Sequence, residues 1–254
     1  MKVLIKSDVL PLRDFKIRLF KKFLLTIIYW CFIFSLLCCK NNEMTEKHIF
    51  QFNSFQVNTF VIWDETKECI IIDPGCHSER ECKILTRFID DNQLKPVRLL
   101  NTHYHIDHIL GNKFVKNHYQ LPVEAHQAGR AFWENTSVWA ANFGLNQDDL
   151  VAPDAYLQDG DEIKFGNSSI KVLYTPGHAD GSICFYNKNE NYVIVGDVLF
   201  HTSIGRTDLP TGNYDVLKQS INEKLFTLPD ETVVYPGHGP KTSIGFEKMN
   251  NPFL

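Results

Sequence analysis

The stretch Thr102-His103-Tyr104-His105-Ile106-Asp107-His108 places four side chains of the kind that bind metal ions within six residues. Side chains at positions i and i+2 of an extended segment point the same way, so His103 and His105 can bind one ion. Asp107 and His108 follow the bend and therefore face a neighbouring position. Zinc accepts imidazole nitrogen and carboxylate oxygen at about 2.0–2.2 Å, and a catalytic site leaves one position open for water. The spacing predicts two metal ions, with further ligands elsewhere in the chain.

Three more ligand-type residues each follow a short apolar segment and stand close to a glycine. They are His178 in Tyr-Thr-Pro-Gly-His, Asp197 directly after Gly196, and His238 in Tyr-Pro-Gly-His-Gly. Glycine lets the backbone turn tightly, and strand ends are where a rigid scaffold usually presents functional groups. Seven ligands give two sites of three with one ligand shared. Because a carboxylate can bridge two cations and an imidazole normally cannot, Asp197 is the expected bridge.

This pattern resembles the metallo-β-lactamase-fold hydrolases, and within them the glyoxalase II-like thioester hydrolases, over roughly residues 47–254. Besides the ligand motifs, the resemblance rests on Ile-Asp-Pro-Gly at Ile72–Gly75, Gly-Arg-Thr-Asp-Leu-Pro at Gly205–Pro210, and a tail like that of the short, single-domain bacterial hydroxyacylglutathione hydrolase type. It implies a single α+β domain, a four-layer αββα sandwich, with the metal ions at one edge between two sheets.

The resemblance also assigns the ligands to two sites and names the cofactors. The first site receives His103, His105 and His178, the second receives Asp107, His108 and His238, and Asp197 belongs to both. The expected cofactors are two divalent metal ions, with zinc favoured and iron or manganese as alternatives. Two such ions about 3.5–4 Å apart can share a water and lower its pKa towards neutrality. Asp107 is the expected catalytic residue, which orients this water or takes its proton.

Other polar residues receive supporting roles or none. Asp73, beside a Pro-Gly turn, is a candidate partner for a ligand histidine, or it simply ends a strand. Arg206 and Asp208 are expected to brace the loop after Asp197 rather than to contact a substrate. The aromatic segment 132–143 is interpreted as core rather than as the wall of a substrate pocket or a lid. The remaining histidines are interpreted as surface or satisfied core residues: His48, His77, His118, His126 and His201.

The expected function is hydrolysis of a thioester such as S-lactoylglutathione. Glyoxalase II enzymes typically carry an extra basic C-terminal helical region that binds glutathione, whereas this chain has only Lys241 and Lys248 in the sixteen residues after His238. A general thioester substrate is therefore preferred. The alternatives are a persulfide dioxygenase with a single iron at His103, His178 and Asp197, and a lactone or ester hydrolase of the same fold. A β-lactamase is disfavoured, because those enzymes usually have Cys where Asp197 stands.

Residues 1–43 and 44–254 differ in charge, with eight Lys/Arg against three Asp/Glu in the first part and eighteen against twenty-seven in the second. The acidic second part, the expected catalytic domain, argues against a nucleic acid partner. The resemblance implies a small-molecule thioester as the partner. In residues 1–43, the apolar run Phe23–Cys39 follows basic residues, which indicates a signal peptide, a short membrane anchor or a lipoprotein leader that ends at Cys38 or Cys39. The alternative is a misplaced translation start, with Met44 as the true first residue.

The cysteines bear on the compartment. The four in residues 44–254 form no disulfide framework in the sequence and suit a reducing compartment. We therefore favour the cytoplasm, with a membrane-anchored or exported protein as the alternative if the leader is genuine. The oligomeric state stays open.

Apolar runs and turn residues predict the order of the elements. Ser78 and Glu81 form a capping-box sequence ahead of an amphipathic helix. Further helices are predicted over Leu110–Tyr119, Ala128–Phe143 and Tyr214–Leu225. Antiparallel-looking strands punctuated by helices fit two sheets packed face to face with helices outside. The predicted strands are His48–Phe52, Thr59–Trp63, Cys69–Ile72, Val97–Leu100, Val123–Ala125, Glu162–Phe165, Ile170–Tyr174, Ile183–Tyr186, Tyr192–Val195 and Thr232–Val234.

Overall fold

The computed structural model of the chain describes residues 44–130, 132–134, 140 and 149–254. The predicted leader at residues 1–43, and most of the helix predicted over Ala128–Phe143, lie outside the described residues. The elements below are numbered within the described part of the chain.

The first sheet has six strands in the order β1-β2-β3-β4-β5-β6. Strands β1, β2 and β3 pair antiparallel, whereas β3 to β6 pair parallel. The strands are β1 (Glu46–Phe52), β2 (Val57–Trp63), β3 (Glu68–Ile72), β4 (Lys95–Leu100), β5 (Val123–His126) and β6 (Ala155–Leu157).

The second sheet is built mainly from the later part of the chain. Its strands are β7 (Glu162–Phe165), β8 (Ser168–Tyr174), β9 (Ile183–Asn187), β10 (Tyr192–Gly196), β13 (Val233–Pro236) and β14 (Thr242–Ser243), in the order β14-β13-β10-β9-β8-β7. Only the β10–β13 pair is parallel among these. A separate short hairpin consists of β11 (Leu199–Phe200) and β12 (Ser203–Ile204).

The helices cover the outer faces of the two sheets. Leu85 and Ile89 of the helix after β3 pack with the outward side chains of the first sheet, and Leu217 packs on the outer face of the second. The predicted four-layer αββα sandwich is confirmed. The helices are α1 (Glu79–Asp91), α2 (Ile106–Ile109), α3 (Asn112–Tyr119), α4 (Tyr214–Ser220) and α5 (Ile244–Asn250).

The core between the sheets explains why several strands read as unbroken apolar runs. In β10, Ile194 packs into the core between the two sheets, whereas Val193 and Val195 pack against the helices outside. Phe60 and Ile62 of β2 face Phe185 across the same inner core. A strand that is covered on both faces needs apolar side chains at every position, so it loses the simple alternation of a half-exposed strand.

Two details differ from the sequence prediction. The strands are not uniformly antiparallel, because α1 connects β3 to β4 as a crossover, and a crossover returns the chain in the parallel direction. The helix predicted over Tyr214–Leu225 is α-helical only to Ser220 and continues as a π-helix over Ile221–Leu225. There the Phe226 N–H donates to the Ile221 carbonyl over 2.8 Å, the i+5 pattern of a π turn.

The capping box predicted at the start of α1 is confirmed. The Ser78 hydroxyl accepts the Glu81 N–H, while the Glu81 carboxylate accepts the Ser78 N–H over 2.9 Å. Within the described residues, none of the helices combines the length and the apolar character needed to cross a bilayer.

Candidate metal centre

The seven ligand-type residues converge at one edge of the sandwich, where the two sheets are joined. Val57 of the first sheet forms a β-bridge with His238 of the second, and the Asn58 amide donates to the carbonyls of Pro236 and Gly239 over 2.9 and 3.0 Å. The Gly237 N–H in turn donates to the Gly196 carbonyl over 2.7 Å. These bonds hold the loops after β10 and β13 beside the β1–β2 turn.

Three histidines form the first group. His105 Nδ1 lies 3.0 Å from His103 Nε2 and 2.8 Å from His178 Nε2. All three side chains are buried. Burial, which penalises the charged imidazolium, lowers the pKa of His105 to about 3 and also lowers the pKa values of His103 and His178. The group therefore consists of neutral imidazoles, the form in which histidine binds a metal ion.

The outward nitrogens of His103 and His178 have partners that orient the rings, whereas His105 Nε2 is buried without a hydrogen-bond partner in the described part of the chain. His178 Nδ1 lies 2.8 Å from the Arg206 carbonyl, which can only accept, so Nδ1 carries the proton. His103 Nδ1 lies 3.0 Å from the Thr102 hydroxyl, which itself donates to Asp73 over 2.6 Å and so must accept from the histidine. The inward Nε2 atoms of His103 and His178 therefore present lone pairs to the same small volume.

The second group surrounds His108 with carboxylates. His108 Nε2 lies 3.3 Å from Asp197 Oδ1 and 3.6 Å from Asp107 Oδ2, and His238 Nε2 lies 3.0 Å from Asp107 Oδ2. Burial alone would lower the pKa of His108, but Asp107, Asp197 and Asp73 raise it well above its usual value. The three carboxylates thus create a strong demand for positive charge at this position.

Asp197 lies between the two groups. Its Oδ1 faces His108, and its Oδ2 lies 3.7 Å from both His178 Nε2 and His238 Nε2. Despite burial, which raises a carboxyl pKa, the histidines around Asp197 lower its pKa, beginning with His108. Asp197 is therefore an anion that faces both groups, the placement that a bridging ligand requires.

The arrangement fits divalent cations. Within 4.8 Å of one another lie the donor atoms of three overlapping groups: His103, His105 and His178; His103, His108 and Asp197; Asp107, His108 and His238. In the first group, the Nε2 lone pairs of His103 and His178 both face His105 Nδ1, which carries at most one proton, so at least one lone pair lacks a proton donor unless a cation binds there. In the second group, His108 Nε2 and Asp197 Oδ1 are buried, and neither makes a well-formed hydrogen bond within the described residues. Neutral imidazole and carboxylate are donors that suit zinc, iron and manganese alike.

Asp73 supports both groups from behind. It is fully buried, its Oδ2 lies 2.9 Å from His108 Nδ1, and its Oδ1 accepts the Thr102 N–H over 2.7 Å. Through the Thr102 hydroxyl it also reaches His103. Its backbone is left-handed, with φ of 50°, a conformation that Asp and Asn tolerate better than most residues. The structure thus places Asp73 in contact with a ligand-type histidine as well as at the end of a strand.

We expect Asp73→Asn to weaken metal binding by about 10–100-fold, the usual effect of losing an outer partner of a ligand histidine. Asparagine keeps the size and the backbone tolerance, but its amide replaces an anionic acceptor of the His108 proton. The measurement is metal content after titration with a chelator. Asp64→Asn is the matched control, because Asp64 is also buried in a turn after a strand but bonds Thr66 and Asn167 instead. Equal chelator sensitivity of the two variants would contradict the role of Asp73.

Position 237 requires glycine, because its backbone lies close to the side chains of Asp197 and His108. A Cβ at this position would lie 2.3 Å from Asp197 Oδ1 and 2.7 Å from His108 Cε1. We therefore expect Gly237→Ala to displace both side chains and to weaken metal binding by at least about tenfold, as for other changes that misplace a ligand. Metal analysis of the purified variant measures the effect.

The control for this prediction is Gly239→Ala, two residues along the same loop. A Cβ on Gly239 has no atom of the described structure within 4 Å, although its φ of +73° adds strain of about 1–2 kcal/mol. This variant should be less stable but keep its metal. If Gly237→Ala retained metal as well as Gly239→Ala does, the close approach would have no consequence.

A cleft of about 320 Å³ opens onto the centre. Apolar side chains form much of its wall, including Phe55, Ile106, Phe132 and Leu209. The Phe132 ring packs edge-on against His105 with their centroids 5.0 Å apart, so this aromatic residue lines the cleft in addition to contacting core residues. For Phe132, the interpretation of the aromatic segment as core is therefore incomplete; most of that segment lies outside the described residues.

Arg206 and Asp208 stand at the rim of this cleft. Their side chains form an exposed ion pair with two nitrogen–oxygen distances of 2.7 Å. The Arg206 backbone carbonyl accepts a hydrogen bond from His178 Nδ1. Bracing of the loop by these residues accords with that geometry. The other histidines lie elsewhere: His48 stacks on Phe88, His118 on Phe114, His126 on Tyr174 and His201 on Phe246, and His77 is exposed.

Sequence reasoning missed three contributors to the centre. Thr102 connects His103 to Asp73, Asn58 joins the two sheets, and the Phe55 carbonyl lies 3.0 Å from His238 Nδ1. Thr102 stands directly before the histidine motif, so the sequence did offer a signal for its role. A backbone carbonyl carries no residue signature, so its role could not be found from the sequence.

Comparison with known proteins agrees with this geometry. A family model described as the Metallo-beta-lactamase superfamily matches residues 53–238. The chain is 37% identical over 203 residues to the hydroxyacylglutathione hydrolase GloC of Haemophilus influenzae, covering 79% of this chain and 94% of that protein. It is 39% identical over 203 residues to the probable metallo-hydrolase YqgX of Bacillus subtilis, covering 77% and 90% of the two chains.

Solved structures give the same result. The BLEG-1 B3 metallo-beta-lactamase superposes with a TM-score of 0.74 at 34% identity, covering 82% of this chain and 99% of the other. TTHA1623, solved in a di-iron-bound form, superposes with a TM-score of 0.72 at 33% identity, covering 82% of this chain and 100% of the other. Relatives of this fold therefore differ in the activity that their names state, and one of them is named as binding two iron ions.

Proposed function

The chain belongs to the metallo-β-lactamase superfamily and is a metallo-hydrolase, and from that premise we propose that it is a binuclear hydrolase of thioesters. The observation that carries the proposal is the set of three ligand groups that overlap at His103 and His108, with Asp197 facing His108, His178 and His238, next to the cleft. One ion would be held by His103, His105 and His178, and the other by Asp107, His108 and His238, with Asp197 shared by both. A single-metal enzyme would not need the second set.

Two divalent ions, when bound, supply a water of lowered pKa and polarise a substrate carbonyl. The residues of the chain do the remaining work. Asp107 faces the cleft, and although burial raises a carboxyl pKa, His108 and His238 lower it, so the side chain is an anion that can orient a water or accept its proton. Within the described residues, no Ser or Cys lines the cleft, which favours water as the nucleophile.

A thioester suits this arrangement because its leaving thiolate needs no strong general acid. The described cleft has Arg206 as its cationic wall residue, and that side chain pairs with Asp208. Its apolar walls are better suited to an acyl or alkyl group than to two carboxylates. We infer that the thiol part is recognised weakly, so that S-lactoylglutathione and a lactoyl thioester of a smaller thiol are both substrates. The name of the Haemophilus relative supports the first of these.

The test is steady-state kinetics on the full chain after its metal content has been measured. Lactoyl thioesters of glutathione and of a smaller thiol are compared with a lactone, a simple ester and a β-lactam. Oxygen uptake with glutathione persulfide is measured alongside. We expect two ions per chain, thioester turnover, and similar kcat values for the two thioesters. If the chain held one iron, consumed oxygen and did not hydrolyse thioesters, the protein would be a dioxygenase and the hydrolase proposal would be wrong. If it hydrolysed the β-lactam preferentially, the proposed thioester substrate would be wrong.

A further inference from the structure

A pair of cysteines lies near the start of α3, outside the residues that line the cleft. The thiols of Cys76 and Cys82 are neighbours, and each shifts the pKa of the other. Cys76 is buried, whereas Cys82, in the first turns of α1, is partly exposed. A cavity of about 480 Å³ is lined by both cysteines and by His77, Lys113 and His118. Cys82, the partly exposed member of the pair, is thus accessible to a small molecule.

From this geometry we propose that Cys76 and Cys82 form a dithiol that exchanges with small disulfides and closes reversibly to an intramolecular disulfide. Cys82 is the attacking thiol, because it is exposed and lies near a helix N-terminus, where the dipole favours a thiolate. Cys76 is the resolving thiol, because it is buried and lines the same cavity as Cys82.

The ionisation of the two groups agrees with this order. The neighbouring Cys76 thiol lowers the pKa of Cys82, because it can donate to a Cys82 thiolate, although burial and Glu81 oppose the effect. The same interaction, reinforced by burial and by the charges of Cys82 and Glu81, raises the pKa of Cys76. A negative charge on the pair therefore resides on the sulfur that faces the cavity.

The reaction has two exchange steps. The Cys82 thiolate attacks one sulfur of a disulfide RSSR, the S–S bond breaks, and RS⁻ leaves and takes a proton from water. The Cys76 thiol then loses its proton to water and attacks the Cys82 sulfur, which forms the Cys76–Cys82 bond and releases the second RS⁻. In total, the two protein thiols lose two electrons and two protons, and RSSR becomes two RSH.

Two other cysteines are expected to be unreactive. Cys69 and Cys184 are fully buried, and burial raises the pKa of each to about 12. Cys184 bonds the Thr175 hydroxyl over 3.1 Å rather than a second thiol. Such residues behave as small apolar side chains, so they serve as internal references.

The experiment treats the full chain with glutathione disulfide, traps remaining thiols with iodoacetamide, and maps the products by tryptic digestion and mass spectrometry. Cys76 and Cys82 fall on separate tryptic peptides, residues 68–80 and 81–83. We expect these peptides to become linked with the loss of two hydrogens, and dithiothreitol to reverse the link. Because residues 68–80 also contain Cys69, fragmentation must place the link on Cys76.

Single variants separate the two roles. Cys76→Ser should stop at a stable glutathione adduct on Cys82, whereas Cys82→Ser should leave Cys76 unmodified. In the untreated protein, iodoacetamide should label Cys82 at least about tenfold faster than Cys184, since reactivity follows thiolate content and exposure. A persistent Cys82 adduct in the unsubstituted protein, a link through Cys69, or no reaction at all would overturn the proposal. Because the readout is thiol chemistry, it is independent of thioester turnover.

Discussion

Asp197→Ala is expected to lose both metal ions and to have no measurable hydrolase activity. The Asp197 carboxylate faces His108 at 3.3 Å through one oxygen, and His178 and His238 at 3.7 Å through the other, so its removal affects both ligand groups. Loss of one transition-state stabilising group already costs about 10²–10³ in kcat, so removal of the whole centre should exceed that. Metal analysis and thioester kinetics on the same preparation measure the two effects.

Comparison variants make this result specific. His178→Ala should mainly empty the first site, and His238→Ala the second, so each should retain about one ion per chain. Asp215→Ala removes an exposed carboxylate from the first turn of α4 and should keep both ions and full activity. A folded Asp197→Ala protein with full metal content and activity would refute the shared-ligand assignment.

Most of the fold was predictable because burial imposes a pattern on the residues. The apolar runs around Ile70 and Val193 marked strands, and Ser78 with Glu81 marked the start of α1. Strand direction was not predictable in the same way. Whether β10 pairs with β13 in parallel depends on the path of the connecting chain, and apolar periodicity carries no information about that path.

The ligand-type residues were predictable for a different reason. A purely structural role does not easily explain histidine and aspartate residues that recur at strand ends near glycines. The structure places all seven of these residues together. The support behind them was harder to predict, because much of it is made by the backbone. The carbonyls of Arg206 and Phe55 orient His178 and His238, and any residue could supply such a carbonyl. Glycine at position 237 is the exception, since its lack of a side chain is itself the requirement.

The π-helix over Ile221–Leu225 illustrates a tertiary effect on a local prediction. The sequence pattern favours one continuous amphipathic helix, but Ile221 and Leu225 pack into the same outer core as Leu217. Apolar side chains four residues apart share a face in an α-turn and in the wider π-turn alike, so the apolar pattern does not distinguish the two.

The second large effect is expected for Asp107→Asn, which should lower kcat for thioester hydrolysis by about 10²–10⁴-fold, the range typical of general base catalysis. Asparagine is nearly the same size as aspartate, but it is uncharged and cannot accept the proton that an attacking water must lose. The first ligand group, His103, His105 and His178, does not include Asp107, so the first metal should remain bound.

The measurements that distinguish proton acceptance from metal binding are metal content and the split between kcat and KM. We expect at least one ion per chain, a steep loss of kcat and a small change in KM, because Asp107 is not expected to hold the thiol part of the substrate. Asp180→Asn, an exposed carboxylate beyond the ligand His178, is the matched control and should leave both constants unchanged. If Asp107→Asn lost every ion, the carboxylate would be essential to the metal centre as a whole. If it kept full kcat, the proton would go to another group, and the assignment of Asp107 as the catalytic residue would be wrong.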